Sequence, residues 1–307
     1  MLVENTVQEW YDAKHATSSI FEIEFINSLD IKQCPFCGSN DFIKYSHKKD
    51  GTQRYICKEC GKHFTALMNT IFDSKKTPIF EWIEYLLHLF EFHSINSTAY
   101  DNRNSPTTGK YWLIKTFEVL KGIQDDVVLD GTVYLDETYF TKVRSKLVTK
   151  DGKKLRGISR NKIGVGVACN ETKSIFIVTG TSKPSRKSTI ETYGKHIARG
   201  SVLVHDDEHS HSILIEELEL ESKVYPTKVT KGLSDKDNPL YPVNNLHLLL
   251  KQFIRNHGAY VREHPQEWLS IFWFIMNEPK DMYKLTSGHI SLFQMSLKIL
   301  FIFMHSS

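Results

Sequence analysis

"GTVYLDETYF", residues 131–140, alternates in side-chain type and is rich in β-formers, so it is expected to form a strand. Strand residues alternate faces, and Asp136 and Glu137 therefore cannot point the same way. Apolar Tyr134 and Leu135 precede them, which brings at least one carboxylate towards a buried sheet. An ionised carboxylate is costly there unless it is paired or coordinates a cation.

The strand character continues downstream. "KIGVGVACNETKSIFIVTGTS" reads as two strands joined by the turn "NETK", and Cys169 between them reads as core. "SRKSTIETYGKHIA" is expected to be helical, "SVLVHDD" a short buried strand, "HSILIEELEL" a helix and "SKVYPTKV" another strand. The polar loop "TKGLSDKDNP" then leads to a helix through "VNNLHLLLK", residues 243–251. Three strands followed by alternating helices and strands predict a mixed α/β sheet with helices covering its faces.

Three polar features of this half converge. Asp136 lies in the first strand, Asp206 ends a later one in "VLVHDDEHSH", and Asn244 opens the last helix. Either aspartate alone fits a salt bridge or a strand-end turn. Two aspartates at the ends of adjacent strands, with an amide oxygen from a following helix, make a hard-oxygen site for Mg²⁺ or Mn²⁺. Two such ions about 4 Å apart suit phosphodiester chemistry. Asn244, His247 and Lys251 stand at i, i+3 and i+7 on one helix face, so Lys251 is placed to hold a phosphate beside the metals.

Upstream, Cys34, Cys37, Cys57 and Cys60 form C-x2-C-x19-C-x2-C. Each Cys-x-x-Cys turn offers two thiolates, and a hairpin about "KKDGTQ" brings the pairs together for tetrahedral zinc. Gly38 and Gly61 follow the second cysteine of each pair, where a tight knuckle suits glycine. Lys48, Lys49 and Arg54, interleaved with Phe42, Tyr45 and Tyr55, make a plausible phosphate-contacting surface. A helix is expected through "TPIFEWIEYLLHLFEFH", with Thr77 as N-cap and Pro78 at its first position. A polar stretch joins it to a second helix, "KYWLIKTFEVLKGI", capped by Ser105 or Thr107. Such a pair fits a helix-turn-helix in which Lys110 and Lys115 face DNA.

Composition bounds the alternatives. A chain of 307 residues has room for two or three domains, and 40% hydrophobic with 24% charged residues suits an ordinary globular protein. The net charge of +3 is small, but it conceals nine Lys or Arg between Lys142 and Lys162 against one acidic residue, Asp151. Lys153, Lys154, Arg156 and Arg160 in this run are candidate DNA contacts. No apolar run reaches the roughly 20 residues of a membrane span. The nearest, "ISLFQMSLKILFIFMH" (290–305), is interrupted by Gln294 and Lys298. Residues 1–15 carry acids where a secretory leader is basic and then apolar, so a cytoplasmic, nucleoid-associated protein without a membrane partner is expected.

The cysteine ribbon, "YLDETYF", the basic run, "HDDEHSH" and "VNNLHLLLKQFIRNHGAY", in that order, resemble the DDE-type insertion-sequence transposases that carry an N-terminal zinc ribbon. The resemblance spans roughly residues 20 to 278. It implies an RNase H-like catalytic core that cuts and joins DNA at element ends, with structural Zn²⁺ and catalytic Mg²⁺ or Mn²⁺. The first two catalytic positions fall on Asp136 and Asp206, with Asp207 as a rival for the second. A subgroup with Asn, then Lys seven residues later, maps onto Asn244 and Lys251. His247 is the alternative third ligand, although magnesium's preference for oxygen favours the Asn244 amide. The implied organisation is an N-terminal helical segment (1–30), a zinc ribbon (31–66), a helical DNA-binding region (67–125), the catalytic domain (126–280) and a hydrophobic tail (281–307). The implied partners are the terminal inverted repeats, target DNA and further copies of the chain on DNA. The rival expectation is an inactive or domesticated zinc-ribbon DNA-binding protein.

Overall fold

The computed structural model describes residues 22–70, 72, 73, 75, 77–101, 104–141, 151–153, 157, 158, 161–257 and 263–277. The tail 281–307 and most of the N-terminal segment lie outside them; residues 22–28 form helix α1. The chain divides into two compact units. One takes the described residues up to Leu89 with those of Asn96–Lys115, and the other Phe90–Ile95 with the described residues from Thr116 onward.

In the first unit, β1 (Phe42–His47), β2 (Gln53–Cys57) and β3 (His63–Phe64) form an antiparallel sheet in that order. The hairpin turns at Gly51, whose φ of 92° suits glycine, while the Asp50 carboxylate accepts the Thr52 N–H at 2.9 Å. Phe42, Tyr55 and Phe64 pack ring to ring at 5.4–5.8 Å against buried Cys34 and Cys57. A core this small needs a staple to hold it.

Helix α2 (Ile79–Phe90) follows, and the Glu22 carboxylate takes the N–H of Ile79 while also pairing with Lys75. Helix α4 (Pro106–Val119) starts as expected, with the Ser105 hydroxyl accepting the Thr108 N–H at 3.2 Å. Trp112 packs on Tyr85 and Trp82, with centroids 5.4 and 6.4 Å apart. The connecting stretch, expected to be a polar link, holds α3 (Ile95–Asp101). Its stripe of Ile95, Thr98 and Ala99 is buried but too polar and short to announce a helix.

The second unit is built on a five-stranded sheet of order β6-β5-β4-β7-β8. Strand β4 (Thr132–Thr141) lies at its centre, antiparallel to β5 (Lys162–Cys169) and parallel to β7 (Val202–His205). β6 (Ser174–Gly180) pairs antiparallel with β5, and β8 (Glu221–Val224) pairs parallel with β7. The turn between β5 and β6 is organised by Asn170, whose side chain accepts the N–H groups of Thr172 and Lys173. This is the mixed sheet with flanking helices expected of an RNase H-like core.

One face carries α5 (Arg186–Tyr193) and α6 (Ser212–Leu218) over Val133, Leu135, Leu203, Tyr193 and Leu214. A short helix, α7 (Thr227–Thr230), follows β8. The other face carries α8 (Tyr241–His257) and α9 (Pro265–Met276), where Phe272 meets Phe176 at 4.8 Å and Phe253 at 5.2 Å. Helix α9 is not foreshadowed by the sequence pattern. Edge strand β6 is not left open: Gln124 and Gln266 bond its backbone at Phe176 and Val178, and Asn277 bonds it at Ser174.

Candidate functional site

The parallel register of β4 and β7 runs from Thr132 opposite Val202 to Leu135 opposite His205, so Asp136 and Asp206 follow at matching positions on neighbouring strands. Both carboxyl groups are pushed towards the neutral form. Burial, then the charges of Asp206 and Glu137, raise Asp136 to about 7, and burial raises Asp206 despite the Glu208 N–H bonded to its Oδ1 at 3.0 Å. Two carboxylates that each resist ionising beside the other suit a cation between them. Asp207, the rival to Asp206, is exposed.

Alternation separates the adjacent acids as the sequence required. Asp136 faces α8, where His247 Nδ1 lies 3.7 Å from its Oδ2. Glu137 turns to the opposite face, where it accepts the Tyr193 hydroxyl at 2.8 Å and lies 3.3 Å from His211 Nε2. Gly166 stands opposite Glu137 on β5, and a Cβ there would lie 1.9 Å from the Tyr193 hydroxyl oxygen. Only glycine lets Tyr193 pass over β5 to reach Glu137. Burial works against the Glu137 charge, yet bonding by His211 and Tyr193 prevails and its carboxyl stays below the usual range. Burial likewise opposes a charge on His211, but Glu137 and the aspartates raise it.

His211 Nδ1 lies 3.1 Å from His205 Nδ1 and 3.8 Å from Asp206 Oδ1, and His205 Nε2 lies 3.0 Å from the Ser222 hydroxyl. Sequence reasoning misses Glu137, Tyr193, His205 and His211 as members of the site. The signal available is the pair of histidines bracketing the acids in "HDDEHSH", which only the turn His209–His211 folds back onto β7.

Helix α8 places its polar residues unequally. His247 is buried, its Nε2 has no hydrogen-bond partner among the described residues, and burial followed by the Lys251 charge lowers it to about 4. Asn244 and Lys251 are exposed. Of the α8 candidates, His247 is therefore the one brought against Asp136.

In the ribbon, Cys34 and Cys60 sulfurs lie 3.7 Å apart and Cys37 and Cys57 sulfurs 3.6 Å apart, with all four within 4.8 Å. Four sulfurs about 2.3 Å from a tetrahedral zinc stand about 3.8 Å from one another, so the cluster is compatible with that ion. The two knuckles are alike. Gly38 N–H bonds Cys34 O and Gly61 N–H bonds Cys57 O, both at 2.9 Å, with φ of 73° and 67°. Cys169, the fifth thiol, is buried in the sheet and pushed up to about 12 by that burial, as an inert core group.

Of the candidate DNA contacts, Lys48 and Lys49 are exposed at the β1–β2 turn and Arg54 is half-buried on β2. Lys110 is exposed on α4, and Lys115 lies 5.2 Å above the Tyr111 ring. Lys153 is described, while Lys154, Arg156 and Arg160 lie outside the described residues. No helix among the described residues is long and apolar enough to cross a membrane.

No family model and no curated protein sequence matches this chain. Among solved structures, an intasome of simian T-cell lymphotropic virus bound to PP2A regulatory subunit B56 gamma is similar at TM-score 0.31 and 10% identity, covering 64% of this chain and 68% of its own. The catalytic domain of Mos1 mariner transposase is similar at TM-score 0.27 and 15% identity over 54% of this chain and 85% of its own. A pre-cleavage Mos1 transpososome is similar at TM-score 0.24 and 14% identity over 71% and 82%. Overlaps this low carry no weight for function; the side chains of the site do.

Proposed function

We propose that the chain is a DNA transposase of an insertion sequence, in which the ribbon and helices bind terminal inverted repeats and the sheet unit cuts and joins DNA strands. The observation that carries this is the pair formed by Asp136, midway along β4, and Asp206, just past the end of parallel β7, each held towards neutrality by burial with other carboxylates close by. The ordered set of motifs around that pair supports it further.

Asp136 and Asp206 would hold Mg²⁺ or Mn²⁺, with α8 adding His247 or the Asn244 amide. Such an ion would supply the Lewis acidity that phosphodiester chemistry needs at the attacking and leaving oxygens. Glu137 does not compete for that role, because Tyr193 and His211 occupy its oxygens. It instead fixes His211 and, through it, the position of Asp206. Exposed Lys251 binds a DNA phosphate beside the carboxylates. The four thiolates would hold a structural Zn²⁺, which stabilises the ribbon and so orders Lys48, Lys49 and Arg54 against DNA.

The test is nicking of duplexes carrying the element's ends, with Mg²⁺ or Mn²⁺, by the full chain and by Asp136→Ala and Asp206→Ala. Cleavage abolished in both is expected, and wild-type cutting in both refutes the assignment. Sequence-specific binding without cleavage of any end-containing or supercoiled substrate would instead mark a DNA-binding protein. His247→Ala and Asn244→Ala, assayed in parallel, decide which α8 residue serves the metal.

A further inference from the structure

Beside the carboxylate pair lies a second set of ligands with different chemistry. One ring nitrogen each of His205 and His211 and an Asp206 carboxylate oxygen all lie within 4.8 Å of one another. The two nitrogens are 3.1 Å apart, and His211 Nδ1 is 3.8 Å from Asp206 Oδ1. An ion with ligands at about 2.0–2.1 Å in a tetrahedron has them about 3.3–3.4 Å apart, so these separations close on one point with only small adjustments. We infer that His205, Asp206 and His211 form a binding site for a borderline transition ion, Zn²⁺ above all, distinct in ligand set from the hard-cation pair.

Three features support it. First, both imidazoles are held by their far nitrogens. His211 Nε2 faces the Glu137 carboxylate at 3.3 Å, and His205 Nε2 faces the Ser222 hydroxyl at 3.0 Å. A carboxylate accepts only, so His211 keeps a proton on Nε2, and a bound ion would replace the proton that the 3.1 Å Nδ1–Nδ1 contact shares. This is the outer-shell arrangement that orients histidine ligands towards a metal. Second, both rings are buried, at 3% and 0% exposure, while the Asp206 side chain is 26% exposed. The histidines are therefore fixed, and the open side lies by the carboxylate, where water or a substrate oxygen can complete the shell. Third, two imidazoles and one carboxylate suit Zn²⁺, Co²⁺ or Mn²⁺ much better than Mg²⁺, which prefers oxygen throughout.

The assignment needs only ligation and does not depend on the transposase proposal. Where that proposal also holds, the shared Asp206 makes zinc beyond the ribbon's requirement a competitor for one of the two magnesium carboxylates.

Cobalt titration of the metal-stripped full chain tests the inference. The first equivalent is expected to give the intense sulfur-to-cobalt absorption of the four-cysteine ribbon, and the second a weak d–d band without sulfur character. The second event should vanish in His205→Gln and weaken about 10- to 100-fold in Glu137→Gln, which changes only the outer shell. Both variants should keep the first, thiolate event as evidence of an intact chain. Because His211 is fully buried, the wild-type protein supplies the independent arm: its His205 and His211 Nδ1 resonances should shift with the second equivalent of Zn²⁺. Binding of a single equivalent, a second ion retained in His205→Gln, or unmoved imidazole resonances each overturn the site.

Discussion

Replacing Gly166 by Ala tests the link between the sheet and the site most sharply. The added Cβ would sit 1.9 Å from Tyr193 Oη, 2.6 Å from its Cζ and 2.9 Å from Thr179 Cγ2. Non-bonded atoms prefer about 3.5–4.0 Å, so the ring must retreat by about 1.5 Å. Tyr193 is fully buried and cannot swing into solvent. Overpacking of this kind costs about 1–3 kcal/mol. The retreat also breaks the 2.8 Å hydrogen bond to Glu137, whose charged acceptor makes it worth about 1.5–3 kcal/mol. A total near 3–6 kcal/mol is a large part of the roughly 5–15 kcal/mol that stabilises a domain. Urea unfolding, followed by circular dichroism, reads it as a midpoint lowered by roughly 1.5–3 M for a slope of about 2 kcal/mol/M.

A double-mutant cycle isolates the cause. Tyr193→Leu removes the clashing ring end, and in that background Gly166→Ala should cost far less, since only the 2.9 Å approach to Thr179 Cγ2 is left to relieve and alanine orders a strand interior by about 0.5–1 kcal/mol better than glycine. A loss below about 0.5 kcal/mol in the wild-type background, or an equal loss in both backgrounds, refutes the close approach of Tyr193 over β5.

Three further outcomes are expected. Asp136 is raised to about 7 by burial and by its acidic neighbours, so the folded, metal-free protein holds a proton that the unfolded chain releases near pH 4. Its contribution is therefore absent below pH 4; stability falls as pH rises from about 4 to 7 and then levels off, by an amount on the order of 4 kcal/mol at most. Denaturation at stepped pH in chelator should show this fall in wild type and its absence in Asp136→Asn. Stripping zinc with a strong chelator should unfold the ribbon, read as lost amide protection across β1 and β2, whereas unchanged protection denies the metal a structural role. Replacing Lys48 and Lys49 by Ala should lower the salt slope of DNA binding by about 1–2, near 0.9 for each phosphate no longer neutralised, and an unchanged slope removes that turn from the DNA surface.

Much of the architecture is legible in the sequence because it is local. Alternation in "GTVYLDETYF" marks strand β4, "NETK" marks the Asn170 turn, and the Cys-x-x-Cys pairs mark the ribbon whose sulfurs converge in space. Helices α3 and α9 escape notice for opposite reasons. The first is a single short stretch with a weak apolar stripe, and the second, after its Pro265–Gln266–Glu267 start, is so apolar that no polar face marks its period.

The site shows the same division. Sequence by itself determined that Asp136 and Glu137 face opposite ways, that Asp206 ends a strand, and that Asn244, His247 and Lys251 share a helix face, because all three follow from backbone periodicity. Which member of each set meets the others was decided only by tertiary structure. The parallel register of β4 with β7 brings Asp206 level with Asp136, and the rotation of α8 turns His247 inward and Asn244 to solvent. The fold-back after β7 brings His211 edge-on to His205 and carries it to Glu137. Those pairings join residues as far apart as Asp136 and His247, and their geometry is set by packing across the sheet, to which local periodicity is blind.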